Sequence, residues 1–166
     1  MEDWELEWRK NRAEETALRA DQRAADQEKR AAFPEKQNVI IGKLENFVLK
    51  WNADDAQGAV SKKITIQRIR PELCRVATVT TRTIRMPDGT TSDSHLNLDV
   101  EFDNLNAVVK SSLHFPWSND SIGEEAVLSL VVAPNGDRYF FSADGKRVDN
   151  GHIIGEILRP LLKYLE

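Results

Sequence analysis

The spacing of hydrophobic and polar positions changes along this chain, and each change predicts a different element. Residues 1–32 carry almost no apolar stripe. Trp4, Leu6 and Trp8 cluster at the start, and Leu18 then stands nearly alone among alanines and charged residues. Gly and Pro are absent, while alanine and long charged residues are strong helix formers. Glu5/Arg9, Glu15/Arg19 and Asp26/Arg30 set acid before base four residues apart, an order that supports an exposed helix. The segment predicts a charged helix about 48 Å long at 1.5 Å per residue. Phe33-Pro34 predicts its end, because a residue before proline is pushed out of the α region and proline suits a first helical turn.

A different pattern follows. Ile40, Leu44, Phe47, Val48 and Trp51 recur at helical spacing, which predicts an amphipathic helix over 35–54 with one buried face. From residue 61 the period becomes two. Strands are predicted at 62–70, 75–86, 95–102, 105–115, 126–132 and 139–142. Leu96, Leu98, Val100 and Phe102 share one side of the third, and Val109, Ser111 and Leu113 one side of the fourth. Turn residues separate the runs: Pro87-Asp88-Gly89, Asp103-Asn104, Pro134-Asn135-Gly136 and Asp144-Gly145. The chain closes on Ile153, Ile154, Ile157, Leu158, Leu161, Leu162 and Leu165, a broad helical stripe. Asn150 is the expected N-cap, and Pro160 is expected to kink the helix or restart it.

The order predicts an α+β fold: a long charged N-terminal helix, a second amphipathic helix, a six-stranded antiparallel meander, and a C-terminal helix packed on the sheet. Its layout is that of cone-like folds in which a curved sheet wraps a helix. Residues 1–32 are read as a helical arm and 33–166 as one α+β domain.

Composition narrows the class. The 166 residues are 40% hydrophobic and 30% charged, which is globular, and the net charge of −4 disfavours nucleic-acid binding by bulk charge. The N-terminus is acidic where an export signal is basic, and no run is long enough to span a membrane. The lone cysteine, Cys74, suits a reducing compartment, so a cytoplasmic protein is expected.

Charge is also divided locally. Residues 61–86 hold seven basic residues against Glu72, while residues 87–103 hold five acidic residues and no basic one. One reading is cross-strand ion pairing on a solvated sheet face. The other is a basic patch of Arg68, Arg70, Arg75, Arg82 and Arg85 that takes an anion or nucleic acid. Among three histidines, His95 and His114 point opposite to the apolar side of their strands. His95 shares its side with Asp99. His95, Asp99 and His114 are therefore the candidates for a ligand pocket between the sheet and the 35–54 helix, or for acid–base work there. Trp4 and Trp8 at the arm's tip, and Trp117 in a proline-containing loop, are candidate partner-binding anchors. No metal-ligand spacing, glycine-rich phosphate loop or nucleophile elbow occurs, so neither metal nor cofactor is expected.

Three readings of the arm compete: a solvated arm, an Ala-faced coiled coil or oligomerisation arm, and a partner-binding helix that docks through its tryptophans. The expected function is a non-enzymatic interaction module (adaptor, chaperone or inhibitor-like) that binds another protein or itself through the arm. The alternative is a small-ligand-binding cone or a small lyase, isomerase or hydrolase.

Overall fold

A computed structural model describes residues 2–54, 63–79, 82–85, 88–114, 121–162 and 164–165. Helix α1 runs unbroken over Asp3–Asp54. Nine strands follow: β1 (Ile64–Arg70), β2 (Leu73–Thr78), β3 (Arg82–Arg85), β4 (Thr91–Ser94), β5 (Asn97–Asp103), β6 (Val108–His114), β7 (Ser121–Val132), β8 (Arg138–Ser142) and β9 (Arg147–Val148). Helix α2 (Ile153–Leu162) closes the fold. Seven strands form one antiparallel sheet in the order β1-β2-β5-β6-β7-β8-β9, and β3 pairs β4 as a separate two-stranded sheet.

The α+β architecture and its antiparallel meander are as expected, with three differences. The two predicted helices are one, with Pro34 inside it. Pro34 lacks the N–H that would bond the Arg30 carbonyl and is exposed, so the lost bond faces water. Tertiary contacts hold the helix on both sides of it, with Gln37, Ile40 and Leu44 buried after it. Before it, Arg30 Nε donates to the Leu105 carbonyl (2.9 Å) and Glu28 lies 4.0 Å from Arg138. Immediately before it, Phe33 is fully buried, with its ring centroid 6.5 Å from that of Phe102.

The predicted 75–86 strand is the second difference, since it is divided between β2 and β3. Strands β3 and β4 pair with each other outside the main sheet, and β2 pairs with β5 across that detour. Thr78 closes its base: its N–H donates to the Leu96 carbonyl and its Oγ1 accepts from the Leu96 N–H, both at 3.0 Å. The third difference lies in α2, which starts three residues after Asn150 and continues through a buried Pro160. The short strand β9 is a further element that its two residues could not announce.

One face of the main sheet is covered. Val76, Leu98, Val100, Phe102, Leu113, Leu128 and Phe140 point from it into the core. Phe33, Ile40 and Leu44 of α1 and Ile157, Leu158 and Leu161 of α2 meet them there. Helix α1 is also tied by polar side chains. Gln37 Nε2 donates to the Pro71 carbonyl (2.6 Å), and Lys43 Nζ to the Asn150 carbonyl (3.1 Å). The Asn52 amide makes two bonds to the main chain of Ile64, one as donor (2.9 Å) and one as acceptor (3.0 Å). Among the described residues, no helix is long and apolar enough to cross a membrane.

Candidate functional site

Among the described residues, two regions lie outside this core: the sheet face opposite the helices, and the N-terminal half of α1. Alternation builds the first. Residues between the inward positions of β2, β5, β6 and β7 must point the other way. In register, Arg75 faces Asp99, Asp99 faces Ser112, and Ser112 faces Glu125, so these four residues form one row across the sheet. Arg75 donates through both Nε and a terminal nitrogen to the two Asp99 oxygens, at 2.7 and 3.2 Å. These bonds to Asp99 hold the guanidinium above its ordinary pKa. His114 Nε2 stands 3.9 Å from the same carboxylate. Glu125 accepts from Ser112 Oγ (3.4 Å) and lies 3.4 Å from Lys110 Nζ.

The structure therefore brings together two of the three pocket candidates, Asp99 and His114. It places them on the open face, not between sheet and helix, because that interface is filled by the apolar core. His95 is exposed just before β5. A shallow depression of about 480 Å³ at one end of β5 and β6 is lined by Glu72, Glu101, Asp103 and Lys110 among others, and by none of the three candidates. Ser112, His114 and Asp99 share a face but form no catalytic relay. Ser112 is buried and its hydroxyl is turned to Glu125, and both Asp99 oxygens are held by Arg75. Among the described residues, no cluster of His, Cys, Asp and Glu is arranged to hold a metal ion.

Among the described side chains, Arg68, Arg70, Arg75 and Arg85 do not assemble into one patch. Arg75 is on the open face with Asp99, and Arg70 pairs with Glu72 at 3.4 Å. Arg68 lies opposite Cys74, an inward position, and Arg85 sits on the separate hairpin. The side chain of Arg82 and the whole of Trp117 lie outside the described residues. The cross-strand pairing of the charge-split segments is thus realised at Arg75–Asp99. Ser112 and Glu125 of the row, and Lys110 beside it, were not among the expected site residues. The same alternation that set Leu113 inward carried the signal for Ser112.

The arm is the second region. From Asp3 to Ala24 every residue except half-buried Glu5 is exposed, and the first buried residue along α1 is Ala32. Trp4, Trp8 and Leu18 are 61, 54 and 59% exposed. About 22 residues project, or about 33 Å. Local contacts are sparse. Of the three expected acid–base pairs, Glu15–Arg19 forms at 2.6 Å, whereas Arg30 bonds the Leu105 carbonyl instead of Asp26. The Arg12 guanidinium lies 5.0 Å from the Trp8 ring centroid, a cation–π contact at the tip.

No protein-family model matches the chain, and comparison with curated proteins and solved structures gives no significant match.

Proposed function

We propose that this protein is a non-enzymatic interaction module that associates with itself through the N-terminal arm of α1. One observation carries the reading: a helical arm of about 33 Å lies outside the body, with two tryptophans exposed at its tip. Most helical stability in proteins comes from packing one face against something. A partner helix would supply that face. The open sheet face favours no catalytic reading, since its charged groups neutralise each other. The dispersed arginines favour a protein over a nucleic acid as partner. Cys74 is a free, buried thiol, which is compatible with a cytoplasmic setting.

Sedimentation equilibrium on the full chain, from low to high micromolar concentration, tests this. The full chain is expected to associate reversibly. A chain that starts at Ala25 keeps every buried residue and is expected to be a folded monomer with a single cooperative unfolding transition. A full chain that stays monomeric throughout the range, or a truncated chain that associates as well as the parent, refutes the proposal.

A further inference from the structure

Among the arm's exposed residues runs a second pattern, on the side turned away from the body. At 3.6 residues per turn, Phe33, Ile40 and Leu44 mark the side that docks on the body, and Ala13, Ala17, Ala20 and Ala24 lie opposite them. Leu6 and Lys10 extend the alanine row toward the tip. The six positions are spaced four, three, four, three and four residues apart, the seven-residue repeat of a coiled-coil seam. All six are exposed.

A row of small residues alone says little. The charges that border it say more. One border carries Glu7, Glu14, Asp21 and Glu28, all acidic; the other carries Arg9, Thr16, Arg23 and Arg30, three of them basic. In a parallel, in-register pair of helices, each residue of the second border faces the residue of the first border five positions later on the other helix. That sets Arg9 against Glu14, Thr16 against Asp21 and Arg23 against Glu28, and each contact occurs twice by symmetry. An antiparallel pair would set arginine against arginine and acid against acid. Arg9, Asp21 and Arg23 have no ion-pair partner among the described residues. Glu14 and Glu28 have only exposed ones, Lys10 and Arg138, both at 4.0 Å, which such a pairing can replace.

We infer that the arm forms a parallel, in-register, two-stranded coiled coil with a second copy of this chain, along the seam from Leu6 to Ala24. This rests on the reading of the arm as the self-association element and adds the partner's face, direction and register. The described part of the body poses no obstacle along Leu6 to Ala24, because α1 docks on it through the opposite side. Lys10 in the seam weakens the pair and helps restrict it to one register. Trp4 and Trp8 remain on its outside.

Full-length charge-reversed chains provide the test. R9E/R23E sets acid against Glu14 and Glu28, and E14R/E28R sets arginine against Arg9 and Arg23. Each alone is expected to associate at least about tenfold more weakly than the parent, and a one-to-one mixture is expected to recover association as a heterodimer. Oxidation of Ala13→Cys is expected to give a covalent dimer, because residue 13 meets its own copy, whereas Gln22→Cys on the outer side gives none. Reversed chains that dimerise like the parent, or cross-linking at position 22 and not 13, overturn the coiled coil and leave self-association standing. A parent chain that is itself monomeric overturns both.

Discussion

Replacing Pro34 with alanine is expected to stabilise this protein, although proline-to-alanine changes in loops usually do the reverse. Pro34 is interior to a 52-residue helix, and proline there is about 3 kcal/mol less favourable than alanine. Part of that gain is offset, since removing proline frees the unfolded chain by about 0.4–1 kcal/mol. Pro34 is exposed, so no packing is lost. The net expectation is about 2 kcal/mol, which for a chain of this length raises Tm by about 4–8 °C. Urea unfolding followed by far-ultraviolet circular dichroism measures the free energy, and hydrogen exchange gives a local readout. The new amide at position 34 should be protected, because it donates to the Arg30 carbonyl. If α1 were instead two helices meeting at Phe33-Pro34, Pro34 would occupy a first helical position where its fixed φ is an advantage. The same substitution would then destabilise, by up to about 1 kcal/mol. A loss of stability, or an unprotected amide at position 34, refutes the continuous helix.

Two further outcomes follow from buried and exposed polar groups. Ser111 lies on the covered face of β6 between Val100 and Ala126, and its hydroxyl has no hydrogen-bond partner among the described residues; Ser111→Ala should therefore gain about 1 kcal/mol in urea unfolding, and a clear loss would show that the hydroxyl is satisfied. Asp103 accepts bonds from the Asn106 side chain (2.7 Å) and from the Leu105 and Asn106 N–H groups (3.0 and 3.1 Å), and these bonds, those from Asn106 foremost, hold its carboxyl below the usual range. Because the folded state depresses this pKa, the stabilisation is present above the ordinary carboxylate value of about 4 and is lost as pH falls through the depressed one. Asp103→Ala should thus be less stable than the parent near neutral pH, and the gap should narrow in acid; a gap that stays constant with pH would assign it to the turn's shape.

Much of the sheet could be read from alternation because one face is covered and the other is not. Leu96, Leu98, Val100 and Phe102 all point inward as their spacing requires. The same arithmetic sends Asp99 and His114 to the open face. The expected pocket between sheet and helix did not follow that arithmetic through: groups in antiphase with the core cannot line the core side. The hairpin was harder to foresee. Thr- and Arg-rich spacing continues from β2 into β3, so nothing local marks where the chain leaves the sheet. The mark is long-range, the pairing of Thr78 with Leu96 across the detour. The unbroken helix is also a tertiary outcome. Proline's local preference favours a break, and it is outweighed by the burial of Phe33 and the Arg30 and Glu28 contacts before it and by the burial of Ile40 and Leu44 after it.

That outcome bears on the arm. Had the chain broken at Phe33-Pro34, the direction of the alanine row relative to the body would be arbitrary, and a second copy could meet it only by chance of linker geometry. In one continuous helix the phase is set by arithmetic from Phe33 back to Leu6. The residues that anchor α1 in the core thereby aim the row away from it, and the borders from Glu7 to Arg23 face solvent together. A perturbation that bends the helix at Pro34 without unfolding it should therefore rotate that row relative to the body without altering any residue in it. Inserting one alanine after Ala24 does the same by about 100° and leaves the residues from Ala25 onward unchanged. If the row's outward direction is what admits the second copy, this insertion should weaken association while the truncated body stays as stable as before. Unchanged association would mean that the arm's direction has no part in the pairing.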